Sequence, residues 1–390
     1  MAELKIFGEH DAHTRQQMAR CMTVGSVVGG VLCADGHLGY AQPVGGVIAY
    51  QDHVSISGVG YDIGCGNMAV RLDVTRAAID DRVGTILAAI GNAISFGIGR
   101  VNAERVEHEL FDDTEAWRAA DTADLIAMAH NQLGTVGSGN HYVDLMEDED
   151  GLVWIGVHFG SRGLGHKSAT KYLKAAGGKD GIDVEPAVVE VSSELGQRYL
   201  AAMELAGRYA YAGREWVVER VRAIIGGAVT DSVHNHHNYA WRERHGDRDV
   251  WVVRKGATPA FPGQRGFVGG SMGDDAVILV GIESELAAAS FYSTVHGAGR
   301  VMSRTEARGK RNRKTGEVIA PGRISADDMQ AWLRARGVML LGADLDEAPQ
   351  AYRRLPEVLA YHDGTVRIEH RLRPFAVAMA GADVFDPFKD

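Results

Sequence analysis

Histidine recurs along this chain in glycine-rich frames, and such frames weaken the interior of a regular helix or strand. His141 lies in Gly137-Ser138-Gly139-Asn140-His141, and His158 in Val157-His158-Phe159-Gly160-Ser161-Arg162-Gly163. His296 precedes Gly297-Ala298-Gly299, and the pair His236-His237 is flanked by Asn235 and Asn238-Tyr239. A further segment, Gly58-Val59-Gly60-Tyr61-Asp62-Ile63-Gly64-Cys65-Gly66-Asn67, puts a carboxylate and a thiol three residues apart among glycines. One such frame is usually a packed turn. Several together, with Asp62 and Cys65, require a fold that carries functional loops on a rigid scaffold.

The most informative run is Ser293-Thr294-Val295-His296-Gly297-Ala298-Gly299-Arg300-Val301-Met302-Ser303-Arg304. The small residues after His296 let backbone approach a ligand closely, and Arg300 and Arg304 follow at i,i+4 spacing. Guanidinium forks match phosphate oxygens, and a neutral imidazole can attack phosphorus to give a transferable phosphoramidate. Carboxylate plus imidazole suits manganese, iron or zinc, and one thiolate among harder ligands can bridge two ions. Paired Cys-x-x-Cys spacing is absent from the sequence, so a structural zinc finger is excluded.

In these blocks the chain resembles the RtcB family of tRNA-splicing and RNA-repair ligases. The resemblance starts at Ala34-Asp35-Gly36-His37-Leu38-Gly39-Tyr40, passes through the Asp62–Cys65 loop and the histidine frames, and continues in Arg254-Lys255-Gly256-Ala257-Thr258 and Gly270-Ser271-Met272-Gly273. It ends with the His296 run and Asp346-Glu347-Ala348-Pro349-Gln350-Ala351-Tyr352. It implies joining of 3'-phosphate or 2',3'-cyclic-phosphate RNA ends to 5'-hydroxyl ends, with GTP and two Mn2+ per active site. Archease is a candidate activating partner.

Carried over residue by residue, the resemblance makes Cys65 the bridge between two manganese ions. His141 completes the first site, and Asp62, His158 and His237 the second. His237 is taken over His236 because Asn238 follows it directly. His296 becomes the nucleophile that takes GMP. Asn140, Asp144, Asn238, Lys255 and Ser271 belong to the nucleotide pocket, with Gly297, Ala298, Gly299 and Arg300 along the guanylate. Arg162 and Arg304 are assigned to RNA phosphates.

Several departures fall in that pocket. Gly64 replaces an asparagine before the cysteine, Asp144 stands where the family often has glutamate, and Gly269 replaces a proline. A lysine usual before a glycine near the C-terminus is missing from Arg373-Pro374-Phe375-Ala376-Val377-Ala378-Met379-Ala380-Gly381, and the tail Asp386-Pro387-Phe388-Lys389-Asp390 follows. Two other classes therefore stay open: a nucleotidyltransferase that activates 3'-phosphate ends with altered nucleotide choice, and a non-catalytic RNA-binding relative.

A net charge of -10 excludes a protein coated in positive potential, so nucleic acid would have to bind locally. The candidate patch is Arg308-Gly309-Lys310-Arg311-Asn312-Arg313-Lys314, with Arg162, His166 and Lys167. Cys21, Cys33 and Cys65 are not spaced as a disulfide framework, which points to a reducing, cytoplasmic setting. The N-terminus lacks the apolar core of a signal peptide, and no stretch is apolar for long enough to span a membrane.

Short apolar runs predict strands at 152–158, 250–253, 276–282 and 338–341, with Arg254-Lys255 just after the second. The segment 192–225 reads as helix with breaks near Gly207 or Gly213, and Ser325-Ala326-Asp327-Asp328 as the capped start of a helix ending near Gly337. With no linker, repeat or strict βαβ alternation, the expectation is a mixed α+β architecture over residues 1–390, a single large catalytic domain. The family resemblance implies layered α/β.

Overall fold

The computed structural model of the chain describes residues 2–311, 318–382 and 384. The apolar runs are strands, Leu152–Phe159, Arg248–Lys255, Ala276–Gly281 and Met339–Ala343. The first and third are buried along almost their whole length, which is why they read as continuous rather than alternating apolar runs. Arg254 and Lys255 lie inside their strand and not after it, because the ladder continues through Arg254 opposite Val47 and Lys255 opposite Gly46.

Two sheets organise the molecule, and the mixture of helices with mostly antiparallel strands is the expected α+β class. One sheet runs, in spatial order, Glu3–Ile6, Val27–His37, Val44–Tyr50, Arg248–Lys255, Asn238–His245. The other runs Arg265–Val268, Ala276–Gly281, Val366–Gly381, Tyr142–Glu147, Leu152–Phe159, Gly66–Thr75, Val229–His236, with Met339–Ala343 parallel to Val366–Gly381. His237 is the single residue between Val229–His236 and Asn238–His245, so the chain passes from one sheet to the other at a proposed ligand.

The helix Glu194–Ile225, capped by Ser193 Oγ on Gly196 N, spans both cores. Its first half packs Tyr199, Met203, Leu205 and Tyr209 among helices, and its second packs Val217, Val221 and Ile225 against Val70, Ile155 and Val157 of the larger sheet. Each such fully buried side chain contributes roughly 1.5–3 kcal/mol relative to exposure. The helix is unbroken, contrary to the breaks expected at Gly207 or Gly213. A β-carbon on Gly207 would stand 2.9 Å from the Tyr239 ring, and one on Gly213 3.3 Å from the Phe159 ring. These glycines permit close approach of helix to sheet. The capped helix Ala326–Arg336 forms as anticipated, with Ser325 Oγ accepting from Asp328 N and Gly337 left-handed at its end. Asn312, Arg313 and Lys314 of the basic run, and the tail 386–390, lie outside the described residues.

Candidate active site

The Asp62–Cys65 loop is fixed from several sides before any ligand is considered. Cys65 N donates to Asp62 O at 3.0 Å, Gly64 N to Asn238 O at 2.9 Å, and His237 N to Cys65 O at 2.8 Å. Ser161 donates through both N and Oγ to Ile63 O. The loop is thereby pinned to the ends of the strands that carry His158 and His237.

The Cys65 sulfur lies 3.7 Å from His141 Nε2 and 3.8 Å from His158 Nε2. Two three-residue groups, each with its donor atoms within 4.8 Å of one another, share that sulfur: Asp62, Cys65 and His141, and Cys65, His158 and His237. The partition differs from the expected one. Asp62 Oδ2 is 3.1 Å from His141 Nε2, which places the carboxylate with His141 instead of with His158 and His237. His158 is oriented by a relay: Asn67 Nδ2 donates to Phe267 O at 2.8 Å, so Asn67 Oδ1 is left to accept from His158 Nδ1 at 2.6 Å. That leaves His158 Nε2 with its lone pair toward the sulfur, the outer support that metal-binding imidazoles ordinarily have.

Electrostatics suit cation binding. Burial drives His141, His158 and His237 below the ordinary imidazole range, which favours neutral rings, each with one lone-pair nitrogen to offer as a ligand. Burial would raise the Asp62 carboxyl, but its hydrogen bond and charge interaction with His141, with Arg162 beyond, hold it well below the usual range. Burial and the neighbouring Asp62 push the Cys65 thiol up, so a cation against the sulfur is what would favour thiolate. His237 Nδ1 is buried without a hydrogen-bond partner. The donor set and this orphaned nitrogen fit a pair of divalent ions.

His296 follows the strand Ser293–Val295 and is gripped by one carboxylate. Asp35 Oδ2 accepts from His296 N at 3.0 Å, from its Nδ1 at 2.6 Å and from Gly297 N at 3.3 Å. Burial would raise the fully buried Asp35, but His296 holds it below the usual carboxylate range. With Nδ1 so engaged, Nε2 carries the free lone pair. Gly299, at φ +74, lets this loop close on Asp35, since a β-carbon there would meet Asp35 O at 2.3 Å. The His296 ring centre is 4.9 Å from that of His237. Asp35 belonged to a block noticed in the sequence, yet no role attached to it; its only signal was a lone carboxylate in Ala34-Asp35-Gly36-His37.

One cavity of about 280 Å3 joins these groups. Its walls include all five proposed ligands, His296, Asn140, Asp144, Asn238, Lys255, Ser271, the segment 297–299, Arg300 and Arg304. Arg162 lies outside the lining, with Nη1 3.0 Å from His141 Nδ1. Several expected contacts are already engaged with protein. Asn238 donates to Asp62 O at 3.2 Å and accepts from Gly256 N at 2.7 Å, and Lys255 Nζ donates to Tyr40 O at 2.6 Å. Arg300 donates to Tyr352 Oη at 2.9 Å and Asp346 O at 2.7 Å, while Arg304 pairs with Glu347 and, at 3.1 Å, with Asp346. The Arg300–Arg304 pair thus faces carboxylates. Ser271 Oγ and Asp144 Oδ1 are buried without partners, and burial holds the Asp144 carboxyl well above its usual range. In the basic patch Arg308 stands 3.6 Å from Asp344, and His166 stacks on Tyr61.

A histidine held by a buried aspartate, facing a cysteine–histidine–carboxylate cluster across one cavity, defines an enzyme-type site suited to metal-assisted nucleophilic chemistry. The family model described as tRNA-splicing ligase RtcB matches residues 17–380, and the chain belongs to the RtcB family. It is 31% identical to the tRNA-splicing ligase RtcB of Thermococcus kodakarensis, over 89% of this chain and 87% of that one. It is 30% identical to the RNA-splicing ligase RtcB1 of Escherichia coli, over 87% of each chain. The RNA-splicing ligase RtcB of Mycobacterium tuberculosis is also 30% identical, over 87% of this chain and 94% of its own. Among the described residues no helix is long and apolar enough to cross a membrane.

Proposed function

We propose that this chain is a GTP- and manganese-dependent RNA ligase that joins 3'-phosphate or 2',3'-cyclic-phosphate ends to 5'-hydroxyl ends through a histidine-linked GMP. The observation that carries the reading is the Asp35–His296 pair set beside the Cys65 cluster in one cavity. Asp62, Cys65, His141, His158 and His237 would hold two Mn2+, which neutralise phosphate charge when bound. His296 Nε2 attacks the α-phosphorus of GTP, a P–N bond forms, the bond to the β-phosphate bridging oxygen breaks, and pyrophosphate leaves. Asp35 keeps the Nδ1 proton in place and offsets the charge that develops on the ring. Water first opens a cyclic end to a 3'-phosphate, whose oxygen displaces His296 and takes the GMP. The 5'-hydroxyl then attacks that activated phosphorus and GMP departs. The glycine-flanked backbone 297–299 suits close contact with the guanylate. Arg162 and Arg304 are the candidates for RNA phosphates: Arg304 lines the cavity but would first have to leave Asp346 and Glu347, and Arg162 stands just outside the lining beside His141. Family membership supports broken RNA ends as partner, a cytoplasmic setting and archease as an activator.

A second reading, altered nucleotide choice, rests on the base end of the cavity. Burial pushes the Asp144 carboxyl well above its usual range and leaves Oδ1 without a partner, and the C-terminal strand, which lacks the lysine family members usually have before a glycine, contributes Val377 and Met379 to the wall. The deciding experiment incubates the protein with manganese and labelled GTP or ATP. Acid-labile, base-stable label should appear on the wild type and be absent from His296→Ala. Label on the mutant would overturn the ligase mechanism, and comparable rates with ATP would favour the second reading.

A further inference from the structure

Arg214 is fully buried in the middle of the helix Glu194–Ile225, and among the described residues no carboxylate pairs with it. An unpaired buried cation is strongly unfavourable, so its retention here calls for a compensating role. Its donors reach four groups. Nη1 donates to Gly64 O at 3.0 Å and to Phe159 O at 2.6 Å, Nε donates to His234 Nε2 at 2.8 Å, and Nη2 stands 3.0 Å from His236 Nδ1. Three of these neighbours adjoin proposed ligands in sequence: Gly64 precedes Cys65, Phe159 follows His158, and His236 precedes His237. The same His236 Nδ1 that stands by the guanidinium also lies 2.9 Å from the Gly64 carbonyl oxygen. Gly207, about two helical turns before Arg214, admits the His236 ring, with a β-carbon there meeting His236 Nε2 at 3.3 Å.

We propose that Arg214 is a positioning residue: one planar guanidinium fixes the spacing of the three chain segments that present Cys65, His158 and His237, and so sets the metal centre from behind. The inference rests on the metal reading above. A fork geometry is needed because a carbonyl of the Asp62–Cys65 loop, a carbonyl at the end of the strand Leu152–Phe159 and two imidazoles of the strand Val229–His236 are engaged at once, which a single ammonium cannot span.

The test uses cobalt as a spectroscopic substitute for manganese in the full-length chain, reading the thiolate-to-cobalt absorption band, with manganese affinity measured by equilibrium dialysis and folding by circular dichroism. Wild type should show the band. Arg214→Lys, which keeps the charge and loses the fork, should stay folded while its affinity falls roughly 10- to 100-fold, the usual range for outer support of ligands. His234→Leu removes one contact without emptying the guanidinium's place, and keeps the test available if Arg214→Lys does not fold; it should weaken affinity severalfold with little change in melting temperature. Wild-type affinity and an unchanged band in folded Arg214→Lys would overturn the inference, as would wild-type affinity in His234→Leu if Arg214→Lys fails to fold. No cobalt–thiolate band in the wild type would instead overturn the metal reading, and this inference with it.

Discussion

Asp35 and His296 are 261 residues apart in sequence and 2.6 Å apart in space, and their pairing decides which imidazole nitrogen can act. Asp35→Asn keeps the size of the side chain but loses the charge that fixes the tautomer. The rate at which His296 takes label from GTP should then drop by roughly 10²- to 10⁴-fold, while circular dichroism stays native. An undiminished rate would show that Asp35 only packs the loop. Lys255 permits a prediction in pH. Burial lowers its ammonium from 10.5 to about 8, so the unfolded chain binds more protons between those values. Its contribution to stability is therefore fully present above 10.5 and lost as pH falls through about 8. In metal-free protein, urea unfolding of wild type should gain stability across that window relative to Lys255→Met; parallel curves would contradict it. At this scale the sequence made legible the residues whose type alone announces chemistry, Cys65 and the histidines. It hid Asp35 and Arg214, because each is defined by partners that only the fold supplies.

Glycine carried opposite meanings in two helices, and local pattern could not distinguish them. In Glu194–Ile225 the glycines looked like helix breaks, yet Gly207 is a contact surface against Tyr239 and His236. In Val83–Ala93, Gly84 has open space around its α-carbon. Alanine is the better helix former by up to about 1 kcal/mol, so the two substitutions should diverge in sign. Gly84→Ala should raise the melting temperature slightly, whereas Gly207→Ala should lower it and weaken metal binding, because the added carbon would stand 2.9 Å from the Tyr239 ring. Equal shifts measured by differential scanning calorimetry would remove the packing explanation. Strands were easier to read. Leu152–Phe159 and Ala276–Gly281 are buried on both faces, and burial of that kind writes itself as an uninterrupted apolar run. The strand Val366–Gly381, interrupted by charged residues and Pro374, gave no such run, although it binds three neighbours in the larger sheet.

Across the whole molecule, the candidate ligands lie in or just before separate strands of the larger sheet and at the point where the chain leaves it for the smaller one. An ion held there would tie those elements together, so binding should register as global stability and not only as activity. Binding to the folded state alone contributes about 2.7 kcal/mol at a free concentration one hundred times Kd. Manganese should therefore raise the melting temperature of the wild type in a concentration-dependent way. Since Cys65 belongs to both donor groups, Cys65→Ala should lose most of that rise, as both groups are broken by one change. Cys21 and Cys33 are equally buried but belong to neither group, so Cys21→Ala and Cys33→Ala should begin from lower melting temperatures and still gain the full increment with manganese. The increment, and not the starting temperature, is the decisive quantity: packing defects shift the baseline of all three variants, whereas only loss of a shared ligand removes the dependence on the ion. A full manganese increment in Cys65→Ala would return that cysteine to an ordinary place in the core.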